Sequence, residues 1–410
     1  MDQEVYQHTF ANGLTLLAER MEHVRSAAFN FLIPAGCAFD APEHSGLASA
    51  LADWITRGAG SRDSRELTLA LDNLGVDHSE NAGIVHMHFW GATLSDNVLA
   101  GLELYADILR RPLFDARELD AIKALALQEI YSIEDNPPVK LARELRARHF
   151  PDPLGRDPRG TEAGIKSLTP DIIREAFRSR FQPNGAILTL AGNFDWHAIK
   201  DKVESLFGDW EAGQPPSFEL TPAPGGTNHL TKETAQTHIM LAYPSVPYGH
   251  EDYYTAYGAA QVLSGGMGSR LFTEVREKES LCYAVSASYL PLKTIGAFQC
   301  YAGTSNDRAQ KTLDVTLREL RRLGDGVEED EVDRVKAGLK SSLIMQQEST
   351  SSRAASLAVD WYYLSRVRSL DEIQAEIERL TTDRIADYAR RYPPENLTVV
   401  TIGPKPLQVP

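Results

Sequence analysis

The sequence predicts an α+β fold made of two similar halves. Three observations support this prediction: strand and helix patterns mix without a regular βαβ alternation along the 410 residues, a proline- and glycine-rich break lies near mid-chain, and one segment occurs twice. A strict alternation would instead have favoured a doubly wound parallel sheet.

The mid-chain break is the clearest change in composition. Residues 213–226 contain four prolines and three glycines, a content that neither a helix nor a central strand tolerates. We therefore predict an N-terminal domain over residues 1–212, a linker over 213–226 and a C-terminal domain over 227–410.

The repeated segment joins a helix pattern to an apolar strand pattern. It runs from Leu168 to Gly192 and again from Leu380 to Gly403, so its two starts lie 212 residues apart. Thr169 and Thr381 are placed as helix N-caps, each with an aspartate two residues later at the positive end of the helix dipole. A repeat spacing of about half the chain predicts that the same fold occurs twice.

The other elements follow from hydrophobic periodicity. Strands are predicted at Leu14–Ala18, Ala27–Ile33 and His238–Tyr243. Helices are predicted at Gly46–Trp54, Arg65–Leu74, Asp96–Arg110, Arg117–Ile133, Tyr253–Leu263, Asp307–Leu323 and Glu329–Gln347.

Composition excludes several functions. With 42 Lys+Arg against 57 Asp+Glu, the net charge of −15 argues against nucleic acid and anionic membrane as partners, because both require clustered basic residues. No stretch reaches the length of about 20 apolar residues that a membrane span needs. The N-terminus lacks signal-peptide features, which predicts a cytoplasmic protein, or a periplasmic one if a leader has been removed. The three cysteines show no metal-binding spacing.

The first long helix carries the most informative motif. Ala35-Gly36, the run from Pro42 to Ala48 and Arg57-Gly58-Ala59 together resemble the start of an M16 metallopeptidase, the family of pitrilysin and the mitochondrial processing peptidase. This resemblance implies two halves that are each an antiparallel-rich sheet covered by helices. It also implies the zinc motif H-x-x-E-H, whose spacing places two imidazoles and a glutamate on one helix face.

The zinc motif itself is missing from this chain. Ser49 and Asp53 occupy the positions of the two histidines, and Ala52 occupies that of the glutamate. Glu129 occupies the place of the family's third ligand. A hydroxyl and one carboxylate do not make a zinc site, so no metal is predicted in this chain. An unorthodox site formed by Asp53, Glu129 and His86 remains as an alternative that metal analysis can test.

The second half retains a different family signature. Arg276 and Tyr283 lie in the run from Ser269 to Tyr283, which resembles the segment that supplies the arginine and tyrosine of M16 peptidases. The resemblance implies that Tyr283 donates to the oxyanion and that Arg276 holds a substrate carbonyl. Alternatively, Arg276 pairs with Glu279 and Tyr283 packs in a core.

Together these features predict a non-catalytic subunit. The resemblance implies a heterodimer with an HxxEH-bearing paralogue that holds the zinc, while this chain contributes Arg276 and Tyr283 to peptide hydrolysis in trans. The acidic charge favours basic or unstructured peptide substrates. The alternative is a catalytically inert structural or peptide-binding protein of the same fold.

Overall fold

The computed structural model describes residues 3–409, which form two compact units. The first unit contains the described residues up to Ser132, together with Asp152–Thr221 and Gln346–Tyr362. The second contains Ile133–Pro151, Pro222–Met345 and the described residues from Tyr363 onward. The predicted linker, residues 213–226, contains no helix or strand. The predicted domain boundaries remain a prediction.

The described chain contains strands of two to ten residues and helices of six to nineteen. The strands are β1 (Glu4–Thr9), β2 (Thr15–Arg20), β3 (Ser26–Ile33), β4 (Gly58–Ala59), β5 (Arg62–Asp63), β6 (Asp77–Ala82), β7 (Met87–Leu94), β8 (Ile187–Gly192), β9 (Thr227–Thr231), β10 (Gln236–Ser245), β11 (Cys282–Pro291), β12 (Gly296–Ser305) and β13 (Thr398–Gly403).

The helices cover the sheets and connect their strands. They are α1 (Leu47–Ile55), α2 (Ser64–Asn73), α3 (Val98–Arg110), α4 (Leu119–Glu134), α5 (Pro137–His149), α6 (Glu162–Ser167), α7 (Pro170–Arg180), α8 (Trp196–Phe207), α9 (Tyr253–Ser264), α10 (Ala309–Arg322), α11 (Glu329–Gln347), α12 (Thr350–Leu364), α13 (Leu370–Glu378) and α14 (Thr382–Arg391). A π-helical segment, Leu271–Lys278, precedes β11.

The two sheets have the same strand order. The first unit's sheet runs β1-β2-β8-β3-β7-β6, and the second unit's sheet, read from β9, runs β9-β13-β10-β12-β11. In each, one pair is parallel, β2 with β8 and β9 with β13, and the other pairs are antiparallel. The predicted α+β class with antiparallel-rich sheets is confirmed, and β1 is an added edge strand of the first sheet.

The repeated segment has the predicted structure in both copies. Helices α7 and α14 are followed by strands β8 and β13, whose residues are all buried. Thr169 accepts a hydrogen bond from the amide of Ile172 at 3.4 Å, and Thr381 accepts one from Arg384 at 3.2 Å. Both predicted N-caps are therefore confirmed.

Each unit also has one helix from the distant part of the sequence. In the second unit, Leu141 and Leu145 of α5 pack on Met240, Val400 and other residues of β10 and β13. In the first unit, Ala354 of α12 lies in a buried apolar cluster with β3 and β8, and its carbonyl accepts a 2.7 Å hydrogen bond from Thr189. Each sheet is thus covered on one face by a helix that the other half of the sequence supplies.

A buried ion pair fixes α12 to the first sheet. Arg353 on α12 forms three hydrogen bonds of 2.7–3.1 Å with the carboxylate of Glu19 on β2, and their side chains are only 4% and 7% exposed.

No helix among residues 3–409 combines the length and apolar character needed to cross a bilayer.

Candidate functional site

Helix α1 carries three of the predicted site positions. Gly46 precedes it at a φ of 102°, where a Cβ atom would lie 2.6 Å from Ile165 and where only glycine is readily accommodated. Its first turn is held by the carboxylate of Asp40, which accepts a 3.1 Å hydrogen bond from the amide of Ala48 and pairs at 2.7 Å with Arg180. The apolar side of α1 lies in the core of the first unit.

The other face of α1 lines a cavity of about 780 Å³ in the first unit. All four positions predicted from the degenerate zinc motif contribute to its wall. The structure thus brings together Ser49, Ala52 and Asp53 of α1 with Glu129 of α4. The remaining lining residues are Ala50, Glu80, Asn81, Ala82, Ile122, Leu125, Ala126, Gln128, Ser132, Asp157, Pro158 and Arg159.

Both polar side chains at the motif positions of α1 have partners within the protein. The Ser49 hydroxyl donates a 2.7 Å hydrogen bond to the carbonyl of Pro158. The Asp53 carboxylate accepts two hydrogen bonds from Arg57, at 2.7 and 3.2 Å, and Arg57 also pairs with Glu118 at 3.0 Å. The hydrogen bonds that Arg57 donates to Asp53, and to a lesser extent the one to Glu118, raise the pKa of Arg57.

The loop before α6 adds charged groups that the sequence did not predict. Arg159 forms two hydrogen bonds with Asp157, at 2.8 and 2.9 Å, and these, together with the charge of Glu129, raise the pKa of Arg159. The charged residues of the wall are therefore four acids, Asp53, Glu80, Glu129 and Asp157, against one base. Nothing in the spacing of the sequence connects this loop to α1, about 100 residues earlier.

These residues do not fit a zinc ion. Ala52 has no atom that could bind a metal ion. The Ser49 hydroxyl donates its hydrogen bond to a backbone carbonyl, and the Asp53 carboxylate is bound by the guanidinium of Arg57. Zinc in proteins takes three or four imidazole, thiolate or carboxylate ligands. Among residues 3–409, no three His, Cys, Asp or Glu side chains cluster in a way that could hold a metal ion.

The predicted alternative metal site with His86 is not formed either. The buried ring of His86 packs edge-on against Tyr362, with ring centroids 4.5 Å apart, and lies 6.4 Å from the ring of His88. Burial lowers the pKa of His88. His86 is not among the residues that line the cavity of α1 and α4.

The cavity is bordered by an open strand edge. Among residues 3–409, strand β6 is the last strand of its sheet and pairs only with β7, so no described strand lies along its outer edge. Glu80, Asn81 and Ala82 of β6 also line the cavity. An unpaired edge of this kind can accept an extended peptide as an additional strand.

Arg276 and Tyr283 lie together in the second unit. Arg276 belongs to the π-helical segment, and Tyr283 lies at the start of β11, at a β-bulge between Cys282 and Ala284. The guanidinium carbon of Arg276 is 4.7 Å from the centroid of the Tyr283 ring. Bulges and π-helical turns recur at functional sites because they redirect side chains.

Neither alternative arrangement of this pair is observed. Tyr283 is 79% exposed and therefore does not pack in a core. Glu279 pairs with Lys311 at 2.7 Å, while Arg276 forms an ion pair with Glu277, at 3.7 Å. Within residues 3–409, neither Arg276 nor Tyr283 makes a side-chain hydrogen bond.

Comparison with known proteins matches two family profiles to the chain. Residues 15–162 match the profile described as Insulinase (Peptidase family M16), and residues 167–339 match the one described as Peptidase M16 inactive domain. An uncharacterized zinc protease of Bacillus subtilis is 29% identical over 413 residues, which cover 98% of each chain. Another from Rickettsia bellii is 27% identical over 398 residues, 97% of each chain.

Solved structures have the same fold. A peptidase M16 inactive domain protein from Pseudomonas fluorescens superposes with a TM-score of 0.91 at 22% identity and covers 99% of both chains. A protease from Helicobacter pylori gives a TM-score of 0.89 at 19% identity and covers 98% of this chain and all of that one.

Proposed function

Because this chain belongs to the peptidase M16 family, we propose that it is the non-catalytic subunit of a heterodimeric zinc peptidase. Its partner is an M16 paralogue that carries the H-x-x-E-H motif and holds the zinc ion. This chain contributes Arg276 and Tyr283 to peptide hydrolysis in that complex.

One observation carries the proposal: the two polar side chains at the motif positions of α1, Ser49 and Asp53, are engaged by internal partners, while the Arg276–Tyr283 pair is left accessible. Asp53 is held by Arg57, whereas Tyr283 is 79% exposed and Arg276 lies over its ring. A chain with no role in peptide hydrolysis would have no need to keep, on an irregular backbone segment, two side chains that make no hydrogen bond within residues 3–409.

The chemistry proposed for the pair is electrostatic. When water attacks a peptide bond, the carbonyl oxygen becomes an oxyanion, and a donor that is aimed at it beforehand stabilises the transition state. The Tyr283 hydroxyl is that donor, and the Arg276 guanidinium binds a neighbouring substrate carbonyl with its planar N–H groups. The partner supplies the zinc ion and the general base.

Peptides are the proposed substrate class, with a preference for basic ones. The open edge of β6 can pair with an extended backbone, and Glu80 and Glu129 are acidic groups of the adjoining wall. With a net charge of −15, the whole chain also attracts a cationic ligand.

Co-expression with an H-x-x-E-H paralogue, where one is encoded beside this chain, tests the proposal. We expect no peptidase activity from either chain alone and hydrolysis of a basic oligopeptide by the purified complex. A complex whose partner carries glutamine in place of the motif glutamate is the matched control and should be inactive. Hydrolysis by this chain alone, with one bound zinc ion, would overturn the proposal.

The alternative function is peptide binding without hydrolysis in any complex. It is favoured by the cavity beside β6, which is present although the residues at its metal positions do not fit a zinc ion. In that case the chain binds peptide, no H-x-x-E-H partner co-purifies, and substitution of Tyr283 changes neither property.

A further inference from the structure

We propose that Phe272 is a positioning residue that, with the ring of Tyr283, holds the guanidinium of Arg276 over two aromatic faces. This inference rests on the function proposed above for Arg276. It concerns how the arginine is kept in place while its hydrogen-bond donors remain available.

The guanidinium carbon of Arg276 lies 4.6 Å from the ring centroid of Phe272 and 4.7 Å from that of Tyr283. Both distances are well within the range of about 6 Å over which a cation is attracted by the negative face of an aromatic ring. Within residues 3–409 Arg276 makes no hydrogen bond, and its one ion pair, with the largely exposed Glu277, is 3.7 Å long. Two rings therefore provide its close contacts.

Two buried arginines of this chain are held by carboxylates instead. Arg353 donates hydrogen bonds to the carboxylate of Glu19, and Arg270 donates to that of Glu331; both arginines are buried. A guanidinium that is bound by carboxylates has few N–H donors left for a substrate, and its charge is neutralised. Stacking on rings restricts the long side chain but leaves its N–H groups and its charge free, which lowers the ordering cost of binding.

The backbone around Phe272 is itself fixed. Leu271 and Val275 of the same π-helical segment are fully buried in the core of the second unit. Arg270, the residue before the segment, forms two 2.7 Å hydrogen bonds with Glu331 of α11. Phe272, which is half-buried, is thus presented from a rigid element, whereas Arg276 alone could adopt many rotamers.

A double-mutant cycle in the reconstituted complex tests the proposal. We expect Phe272→Leu to lower kcat/KM for a basic oligopeptide about two- to fivefold, which corresponds to roughly 0.5–1 kcal/mol of cation–π attraction. Phe272→Tyr, which keeps an aromatic ring at this position, should retain the rate of the parent complex. In an Arg276→Leu background, Phe272→Leu should have no further effect, because the group it positions is gone.

Pentafluorophenylalanine at position 272 serves as a second variant that preserves the shape of the ring and reverses its quadrupole. It should lower the rate as Phe272→Leu does. In the isolated chain, the Nε–H proton of Arg276, assigned by its loss in Arg276→Lys, should lie upfield through ring currents and move downfield in Phe272→Leu.

The outcomes separate this inference from the proposed function. If Arg276→Leu lowers the rate but both Phe272 variants leave it unchanged, or if the Nε–H signal does not move, Phe272 is not a positioning residue. If Arg276→Leu has no effect in an active complex, the role proposed for Arg276 is wrong and this inference falls with it.

Discussion

The carboxylate of Asp53 on α1 is bound by the guanidinium of Arg57, four residues later and just beyond the helix, through two hydrogen bonds of 2.7 and 3.2 Å. Arg57 also reaches Glu118 just before α4, at 3.0 Å. Arg57, just after α1, therefore links the end of that helix to the residue that directly precedes α4.

Loss of this arginine should weaken the first unit slightly. All three side chains are 22–37% exposed, so water screens their attraction and we expect Arg57→Leu to cost about 0.5–1 kcal/mol in the free energy of unfolding. Arg117→Leu, which removes an almost fully exposed partner of Asp115, is the matched control and should not change stability measurably. Equal effects of the two variants in urea unfolding would contradict the bridging role of Arg57.

Restoring the family motif should create a zinc site. Ser49→His, Ala52→Glu and Asp53→His together place two imidazoles on the wall that Glu129 also lines, which supplies three protein ligands. We expect one zinc ion per chain in the triple variant by elemental analysis and none in the parent chain.

Glu129→Ala added to the triple variant is the control for that experiment, and it should remove the bound zinc. Zinc that persists without Glu129, or its absence from the triple variant, would show that the cavity does not have the geometry that the family motif requires.

Breaking the buried pair between Glu19 and Arg353 should strongly destabilise the protein. Arg353→Met leaves a carboxylate that is 7% exposed without its partner, and loss of one member of a buried pair typically costs about 3–5 kcal/mol. Arg20→Met, which breaks ion pairs with the more exposed Glu4 and Glu22, is the control on the same strand and should change stability by less than about 1 kcal/mol. A small effect of Arg353→Met on thermal unfolding would mean that α12 is held mainly by its apolar contacts.

The ion pair between Arg270, just before the π-helical segment, and Glu331 predicts that stability depends on pH. Burial opposes ionisation of Glu331, but hydrogen bonds from Arg270 and from the Glu328 amide, together with the charge of Arg270, outweigh it and lower the pKa of the carboxyl below its ordinary value of 4.5. A depressed pKa in the folded state means that its contribution to stability is complete above about pH 4.5 and is lost as the pH falls through the folded-state pKa.

Glu331→Gln should therefore cost about 1–3 kcal/mol at neutral pH and make the loss of stability below pH 4.5 less steep than in the parent chain. Glu395→Gln, at an exposed loop position, removes the same charge and should leave the profile unchanged. A parallel acid profile for Glu331→Gln and the parent would contradict the assignment.

Much of the fold was predictable because the two sequence halves repeat the same local signals. Thr169 and Thr381 cap equivalent helices, and the strands after them take equivalent places, β8 and β13, in two sheets of matching order. The sequence did not predict that α5 covers the second sheet and α12 the first. An apolar helix face indicates that a helix is buried but not which sheet it covers.

The site was predicted in part. Spacing on one helix placed Ser49, Ala52 and Asp53 on a common face, and family resemblance added Glu129, so all four line one cavity. The engagement of Asp53 by Arg57 has an i, i+4 signal that could have been found. Arg159 reaches the cavity from a loop, and the bulge at Tyr283 depends on pairing with β12, so neither leaves a local pattern in the sequence.

The rate of a complex containing Tyr283→Phe tests the central claim most directly. Loss of an oxyanion donor typically lowers kcat about 10²–10³-fold, and we expect that loss in the complex with an H-x-x-E-H partner. Tyr257→Phe, at an exposed tyrosine of α9 that is 39% accessible, should retain the full rate. A complex that hydrolyses peptide equally fast with phenylalanine at position 283 would contradict the role proposed for Tyr283.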